Sequence, residues 1–228
     1  MRKKRKNSTR FIKINPTDPE AEIISEAVGL IRQGGVVVFP TRNLYGLGTD
    51  ASNVQATRRI FEIKRRPPDK PLLVLIKSRE DVLALAEDIP ASAACLMDHF
   101  WPGRITIVLR AKPSVHKALT GGTDRIGMRM PGHPVAAALA AALGGAIIGT
   151  SANISGKSGC SAILDLSPDV AEEVDLVLDA GPLTPGNGST VVDAAFDTVR
   201  LLREGALAKG AIESVLKKSA FKMIDNSD

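Results

Sequence analysis

Short apolar runs punctuate this chain: VVVF at 36–39, PLLVLI at 71–76, AIIG at 146–149 and DLVLD at 175–179. Runs of this length without polar alternation read as strands buried on both faces. A sheet buried on both faces has to be covered by helices, and segments of helical spacing lie between the runs. In PEAEIISEAVGLIRQ, residues 19–33, Ile23, Ala27, Leu30 and Ile31 fall on one face, with Asp18 as the expected cap and Gly34 and Gly35 as the stop. Asn53 opens a second helix to about Ile63, and others are expected over 79–87, 90–100, 133–143, 167–174 and 208–218. RITIVLR (104–110) and RIGMRM (125–130) alternate as strands do, and STVVDA (189–194) and VRLLRE (199–204) read as two late ones. The interleaving is not strictly alternating. It therefore predicts an α/β fold with a twisted, open mixed sheet and flanking helices rather than a purely doubly wound one.

A chain of 228 residues is most simply one domain with a sizeable core. Aromatics are only 4% of it, so that core must be aliphatic. The two cysteines, Cys95 and Cys160, have neither zinc spacing nor a disulfide framework, and they fit a reducing compartment. The net charge of +5 is unevenly placed. MRKKRKNSTR, residues 1–10, carries six cations and no acid, which leaves the remaining 218 residues at −1. The expected organisation is a basic, disordered arm over 1–10, one domain over 11–218 and a frayed tail over 219–228. Such an arm is a solvated segment or an electrostatic contact to RNA. No hydrophobic stretch follows it to make a secretory signal, and the Ala-rich region 134–149 is too short and too interrupted to span a bilayer. A cytoplasmic protein without a membrane partner is expected.

Polar groups gather in four places. PTRNLYGLG (40–48) reads as an exposed turn after a strand, with Gly46 and Gly48 supplying backbone freedom. IKRRPPDKP (63–71) crowds cations around Pro67 and Pro68, and places Lys64 and Arg66 where both heads can converge on one anion. It reads equally as a solvated helix end that favours the dipole. GTSANISG (149–156) puts hydroxyls, an amide and free backbone N–H groups beyond a strand end, where open α/β sheets bind ligands. The alternative is a simple capping turn. GNGSTVVDA (186–194) repeats the theme, followed by Arg203 in LLREG. There is no P-loop, no dinucleotide fingerprint, no nucleophile elbow and no zinc motif. His99, His116 and His133 are far apart, and His133, before Pro134, reads as a helix cap. Chemistry in such a site is positional and electrostatic: cations and dipoles stabilise phosphoryl charge while two substrates are held in line.

From Ile23 to Ala211 the chain closely resembles the YrdC/Sua5 family of threonylcarbamoyl-AMP synthases. The motifs that carry the resemblance are GGVVVFPTRNLYGLGTDA, IKRRPPDKPLLVLI, FWPGRITIVL, RIGMRMPGHP, GTSANISG, STVVDA and LLREGAL. The resemblance implies a YrdC-like fold with a large basic cavity. It implies a nucleotidyltransferase that condenses L-threonine, bicarbonate and ATP to threonylcarbamoyl-AMP and pyrophosphate, for t6A formation at position 37 of tRNA through a downstream t6A transferase complex.

The family's Lys-x-Arg and Ser-x-Asn pairs fall on Lys64, Arg66, Ser151 and Asn153, which are therefore the expected catalytic residues. By the same resemblance ATP is held by Arg66, Lys70, Arg125, Asn153, Ser161 and Arg203, and threonine by Asn43, Arg129, Ser151 and Ser189. Mg²⁺ arrives with the triphosphate, and no dedicated metal site is expected.

Three departures stand out: Arg42 where the family loop has an acid, Leu75 where many members have histidine, and WPGRIT, with Arg104, where WPGPLT is usual. Asn43 also replaces a threonine. The chain resembles the short form, without the further C-terminal domain of longer members. The alternatives are a tRNA- or double-stranded-RNA-binding protein of the same fold, favoured by the basic arm, and a paralogue acting on another amino acid.

Overall fold

The computed structural model describes residues 8–225. In chain order the elements are β1 (Arg10–Lys13), α1 (Ala21–Arg32), β2 (Val37–Pro40), β3 (Tyr45–Gly48), α2 (Val54–Lys64) and β4 (Leu73–Leu75). There follow α3 (Val82–Leu85), α4 (Ala91–Phe100), β5 (Ile105–Arg110), α5 (Lys117–Thr120), β6 (Arg125–Arg129), α6 (Pro134–Leu143), β7 (Ile147–Ile148) and β8 (Thr150–Ser151). The last are α7 (Pro168–Ala171), β9 (Leu176–Asp179), β10 (Thr190–Asp193), β11 (Thr198–Arg203), α8 (Lys209–Lys218) and β12 (Lys222–Ile224).

The expected mixed α/β fold is present, with its strands hydrogen-bonded in two mixed ladders. One runs β1-β9-β2-β3-β8 and the other β12-β11-β10-β5-β6-β4-β7. The ladders meet along one stretch of chain: β7 pairs antiparallel with β4 in the second, and after Gly149 β8 pairs antiparallel with β3 in the first. The stretch singled out for its hydroxyls is thus the seam between the sheets.

β2 explains why VVVF lacks alternation. Val36 and Val38 enter one buried cluster with Leu47, Ile60, Val74 and Ile107, while Val37 and Phe39 enter another with Ile24, Ile31, Leu139 and Leu176. Successive side chains point to opposite faces of a strand, and here each face has its own core. Helices α1 and α6 build the second core and are tied by Arg32, which donates to the Ala142 carbonyl at 2.9 Å at the end of α6. Residue 53 caps α2 as expected, Asn53 Oδ1 accepting the Ala56 N–H at 3.0 Å.

Four expectations are corrected. The run 40–48 is not an exposed turn, because Tyr45–Gly48 is a fully buried strand paired with β2. Neither Gly46 nor Gly48 has positive φ. A Cβ on Gly48 would lie 2.3 Å from the Ile148 carbonyl oxygen, so that glycine serves close strand packing. Asp18 does not cap α1; the N-cap is Glu20, and Asn15 Oδ1 instead accepts the N–H groups of Thr17 and Asp18. The tail expected to fray over 219–228 contains β12, which pairs parallel with β11. At the other end β1 begins at Arg10, inside the expected arm, because Arg10–Lys13 adds an edge strand to β9. Residues 1–7 of that arm, and 226–228, lie outside the described residues. Among the described residues no helix is long and apolar enough to cross a membrane.

Candidate active site

A cavity of about 630 Å³ lies between the two ladders. One wall is the face of the second sheet, with Leu73, Val108, Gly127 and Val191. The opposite wall is β3, the end of α2 and the seam at 149–156.

The end of α2 is set by Arg65, which takes a left-handed conformation at φ 48°. The N–H of Arg66 returns to the Phe61 carbonyl at 2.9 Å and that of Arg65 to Glu62 at 3.1 Å, a Schellman-type stop. With the helix ended this way, Lys64 and Arg66 both line the cavity.

Their roles in the fold differ. Lys64 is 2% exposed, and its Nζ donates to the Ser151 carbonyl at 2.5 Å and the Asn153 carbonyl at 2.8 Å. It is a strut under the seam, and the expectation that its head would share an anion with Arg66 is corrected accordingly: an ammonium spent on two carbonyls is turned toward the protein. Burial, with Arg66 as a lesser cause, pulls the ammonium down to about 7. Arg66 donates to the Lys70 carbonyl at 3.2 Å and the Pro71 carbonyl at 2.7 Å, which holds the PPDKP segment in an arc around its guanidinium.

Asn153 is nine-tenths buried and donates to the Ile154 and Lys157 carbonyls at 2.9 and 2.5 Å, while its Oδ1 accepts from the Ser151 hydroxyl. The turn is thereby pinned from inside, and the expected tetrad Lys64, Arg66, Ser151 and Asn153 is brought to one cavity.

The cavity is unusually rich in arginine. Arg125, on β6, is held by Asp193 Oδ2 at 3.3 Å and lies 5.5 Å from the Phe196 ring centroid. Arg129, four residues along the same strand, donates to the Gly103 carbonyl at 2.6 Å. Burial pulls it down to about 10, assisted by the nearby charges of Arg42 and Arg203. Arg203, on β11, donates to the Ser189 carbonyl at 2.8 Å, and the Ser189 hydroxyl shares a hydrogen bond of 2.7 Å with Thr106 Oγ1. Burial also lowers Arg66, with Arg203 contributing. The guanidiniums of Arg66, Arg203, Arg129 and Arg42 thus act on one another in sequence, with Asp193 the sole carboxylate among the described lining residues. Such an array of like charge calls for a polyanion.

Of the other expected residues, Asn43, Arg125, Arg129, Ser189 and Arg203 line this cavity. Lys70 and Ser161 do not. Lys70 is exposed and turns its carbonyl to Arg66, and Ser161 lies past the seam, its carbonyl accepting the Leu183 N–H at 2.7 Å. Asn43 spends one amide donor on the Thr184 carbonyl at 3.0 Å, so it also latches the 181–189 loop. Leu75 is buried against Gly149, where a Cβ would lie 2.5 Å from Leu75 Cγ, and it gives the cavity an apolar floor. Thr106, Thr123 and Asp193 were not anticipated. Each sits in a strand or turn whose local pattern reads as ordinary, and only the pairing of β5, β6 and β10 shows that they share a face. No group of three or more metal-binding side chains occurs among the described residues.

Comparison with known proteins sharpens this picture. A family model for Sua5, YciO and YrdC, described as "telomere recombination", matches residues 29–205. The threonylcarbamoyl-AMP synthase of Pyrococcus abyssi is 40% identical over 190 residues, covering 83% of this chain and 56% of that protein. That of Bacillus subtilis is 38% identical over 204 residues, covering 89% of this chain and 58% of that protein. The chain therefore spans a little over half the length of these relatives. A crystal structure of P. abyssi Sua5 complexed with L-threonine superposes with a TM-score of 0.88 and 37% identity, over 95% of this chain and 63% of that one.

Proposed function

Because this chain belongs to the Sua5/YciO/YrdC family, we propose that its arginine-lined cavity binds ATP and L-threonine and joins them, with bicarbonate, into threonylcarbamoyl-AMP for t6A modification of tRNA. The observation that supports this most is the meeting, in one cavity, of Lys64 and Arg66 from the end of α2 with Ser151 and Asn153 from the seam, beside five more arginines. A triphosphate carries the charge that such an array lacks, and a small amino acid fits beside it. The name carried by the P. abyssi and B. subtilis relatives and the threonine in the P. abyssi complex favour the same substrates.

In this reading the threonine amino group takes up the carboxyl of bicarbonate with loss of water. A carbamate oxygen then attacks the α-phosphorus of ATP, forming one P–O bond as the bond to pyrophosphate breaks. The protein contributes position and charge. Arg66, Arg125 and Arg203 grip phosphates, Arg129 grips the threonine carboxylate with Ser151 and Ser189 beside it, and Asn153 and Ser151 hold the two substrates in line. Lys64 acts by holding that pair. Lys70 and Ser161, outside the cavity lining, can join only if the loops carrying them close on the nucleotide. Mg²⁺ would travel with the triphosphate and neutralise part of its charge. Asp193 is already paired with Arg125, so phosphate oxygens and water are the fitting ligands. Turnover is tested with ATP labelled at the α-phosphate, Mg²⁺, bicarbonate and threonine. Labelled adenylate should appear only when threonine is present. Arg66→Ala and Asn153→Ala should each remove most activity while remaining folded. Full turnover in either variant, or a better rate with another amino acid, refutes the assignment.

A further inference from the structure

Two of the places where this sequence departs from the pattern it resembles, Arg42 and Arg104, are far apart along the chain and meet in space. Arg42 lies in the turn between β2 and β3, and Arg104 immediately precedes β5. Both line the main cavity, and both also line a second hollow of about 580 Å³ that adjoins it through Arg42, Asn43, Arg104 and Asn187. Among the described residues no carboxylate lines this vestibule.

Its donors are largely uncommitted. Arg42 has no hydrogen-bond or ion-pair partner among the described residues, and Arg104 has only a 3.5 Å contact to the Ala206 carbonyl. His133 also lines the hollow. Its Nδ1 accepts the Val135 N–H at 3.2 Å, so in the neutral ring the proton sits on Nε2, leaving that nitrogen a donor. The proximity of Arg42 to Arg129 is visible in the charge it exerts on that buried guanidinium. The vestibule is therefore the outward continuation of the arginine array.

We propose that Arg42 and Arg104, with His133, form a diphosphate-binding vestibule that receives pyrophosphate as it leaves the cavity. This rests on the reading given above, in which the reaction in the cavity releases pyrophosphate. A carboxylate is satisfied by one guanidinium fork. Two forks and a neutral donor, with no opposing acid, suit an ion of three or more charges with oxygens on both ends. The hollow adjoins the main cavity through Arg42 and Arg104, so an anion passing from that cavity into it meets both guanidiniums. Neither arginine belongs to the set proposed to hold ATP or threonine.

The test measures pyrophosphate binding by calorimetry on protein saturated with α,β-methylene-ATP, which occupies the cavity and cannot be cleaved. Wild-type protein should bind one further pyrophosphate. The double variant Arg42→Gln, Arg104→Gln should bind it at least about tenfold more weakly, the loss of one to two charge-assisted contacts, with a smaller loss of affinity for the analogue. Under turnover the same variant should show weaker inhibition by pyrophosphate. No pyrophosphate uptake by the saturated wild type, or equal uptake by the double variant, overturns the proposal. So does displacement by sulfate at the same concentration, which would make the hollow a generic anion site. Failure of the enzymatic reading is read separately: it appears as absent adenylate formation in the wild type, whatever the calorimetry shows.

Discussion

The Lys64 ammonium donates to two oxygens of Asn153, the main-chain carbonyl at 2.8 Å and the side-chain Oδ1 at 3.3 Å. A buried cation on helix α2 thereby sets the shape of a turn on the seam between the sheets. Replacing it with methionine keeps the volume and removes the donors. The Asn153 carbonyl then loses its partner in a buried place, and the Ser151 carbonyl and Asn153 Oδ1 each lose one of two, which costs about 1–3 kcal/mol. Lys64→Met should lower the melting temperature and cut adenylate formation by more than the stability loss accounts for. A variant that melts normally and turns over normally would show that the strut is dispensable.

The same lysine predicts a pH dependence. Its folded-state value is lowered to about 7 from 10.5, chiefly by burial. Between those values the unfolded chain keeps the proton and the folded chain has released it. The unfolded state binds more protons there, so this group makes stability rise with pH across the window, by at most about 1.4 kcal/mol per pH unit. Below pH 7 the penalty of burying the charge is fully present. The difference in melting temperature between wild type and Lys64→Met should therefore widen in favour of wild type from pH 7 to 10. A bound triphosphate restores the charge, so ATP binding at pH 8 should take up protons and adenosine should not. Calorimetry in buffers of different ionisation enthalpy measures both.

Arg59, on α2, ties the start of β2 to the segment that leads into β9, beside the pairing of those two strands. It donates to the Gly34 carbonyl and to Asp175 Oδ2, each at 2.9 Å, and to the Glu173 carbonyl at 3.2 Å. Asp175 Oδ2 also accepts the Val36 N–H at 2.7 Å, so the cluster registers β2 at its start. Arg59→Ala should destabilise by about 2 kcal/mol, or about 4–8 °C in a thermal melt for a chain of this size. A shift below a degree would mean that solvent replaces the bridge without loss.

Tyr45 latches the loop that carries Asn187 and Ser189. Its hydroxyl donates to the Gly181 carbonyl at 2.7 Å and accepts the Ala180 N–H at 3.0 Å, and burial raises its pKa to about 12. Tyr45→Phe should cost about 1–2 kcal/mol and leave the sheets intact. The Ala180 amide should exchange faster with deuterium while amides of β5 stay protected. Unchanged exchange at Ala180 would sink the latch.

Two glycines at the seam should differ in a measurable way. A Cβ on Gly48 would meet the Ile148 backbone oxygen at 2.3 Å, whereas one on Gly149 would meet the side chain of Leu75 at 2.5 Å. Backbone cannot yield without parting the sheets; a leucine side chain can turn aside. Gly48→Ala should therefore destabilise by about 3 kcal/mol or more and Gly149→Ala by about 1–2 kcal/mol, the latter pushing Leu75 into the cavity. Denaturant melts of the two variants check the order.

Much of the fold was legible in the residues because it rests on local rules. VVVF, PLLVLI and DLVLD are strands, and Asn53 and His133 cap the helices they precede, since hydrophobic period and capping chemistry act within a few residues. The candidate site was legible through motif: nine of the eleven expected residues line one cavity. What the residues did not disclose is long-range. YGLG reads as a turn by its glycines, yet it is a strand, because Phe39 and Ile148 press close enough to exclude a Cβ. Lys64 reads as a cation for an anion, yet it faces inward, because the seam brings two carbonyls to its head. Arg42 and Arg104 share a hollow only once the first sheet lies against the second. Periodicity and capping are properties of neighbours in sequence. Which strand edge meets which, and whether a charge ends in water or under a carbonyl, is settled only when the two sheets pack.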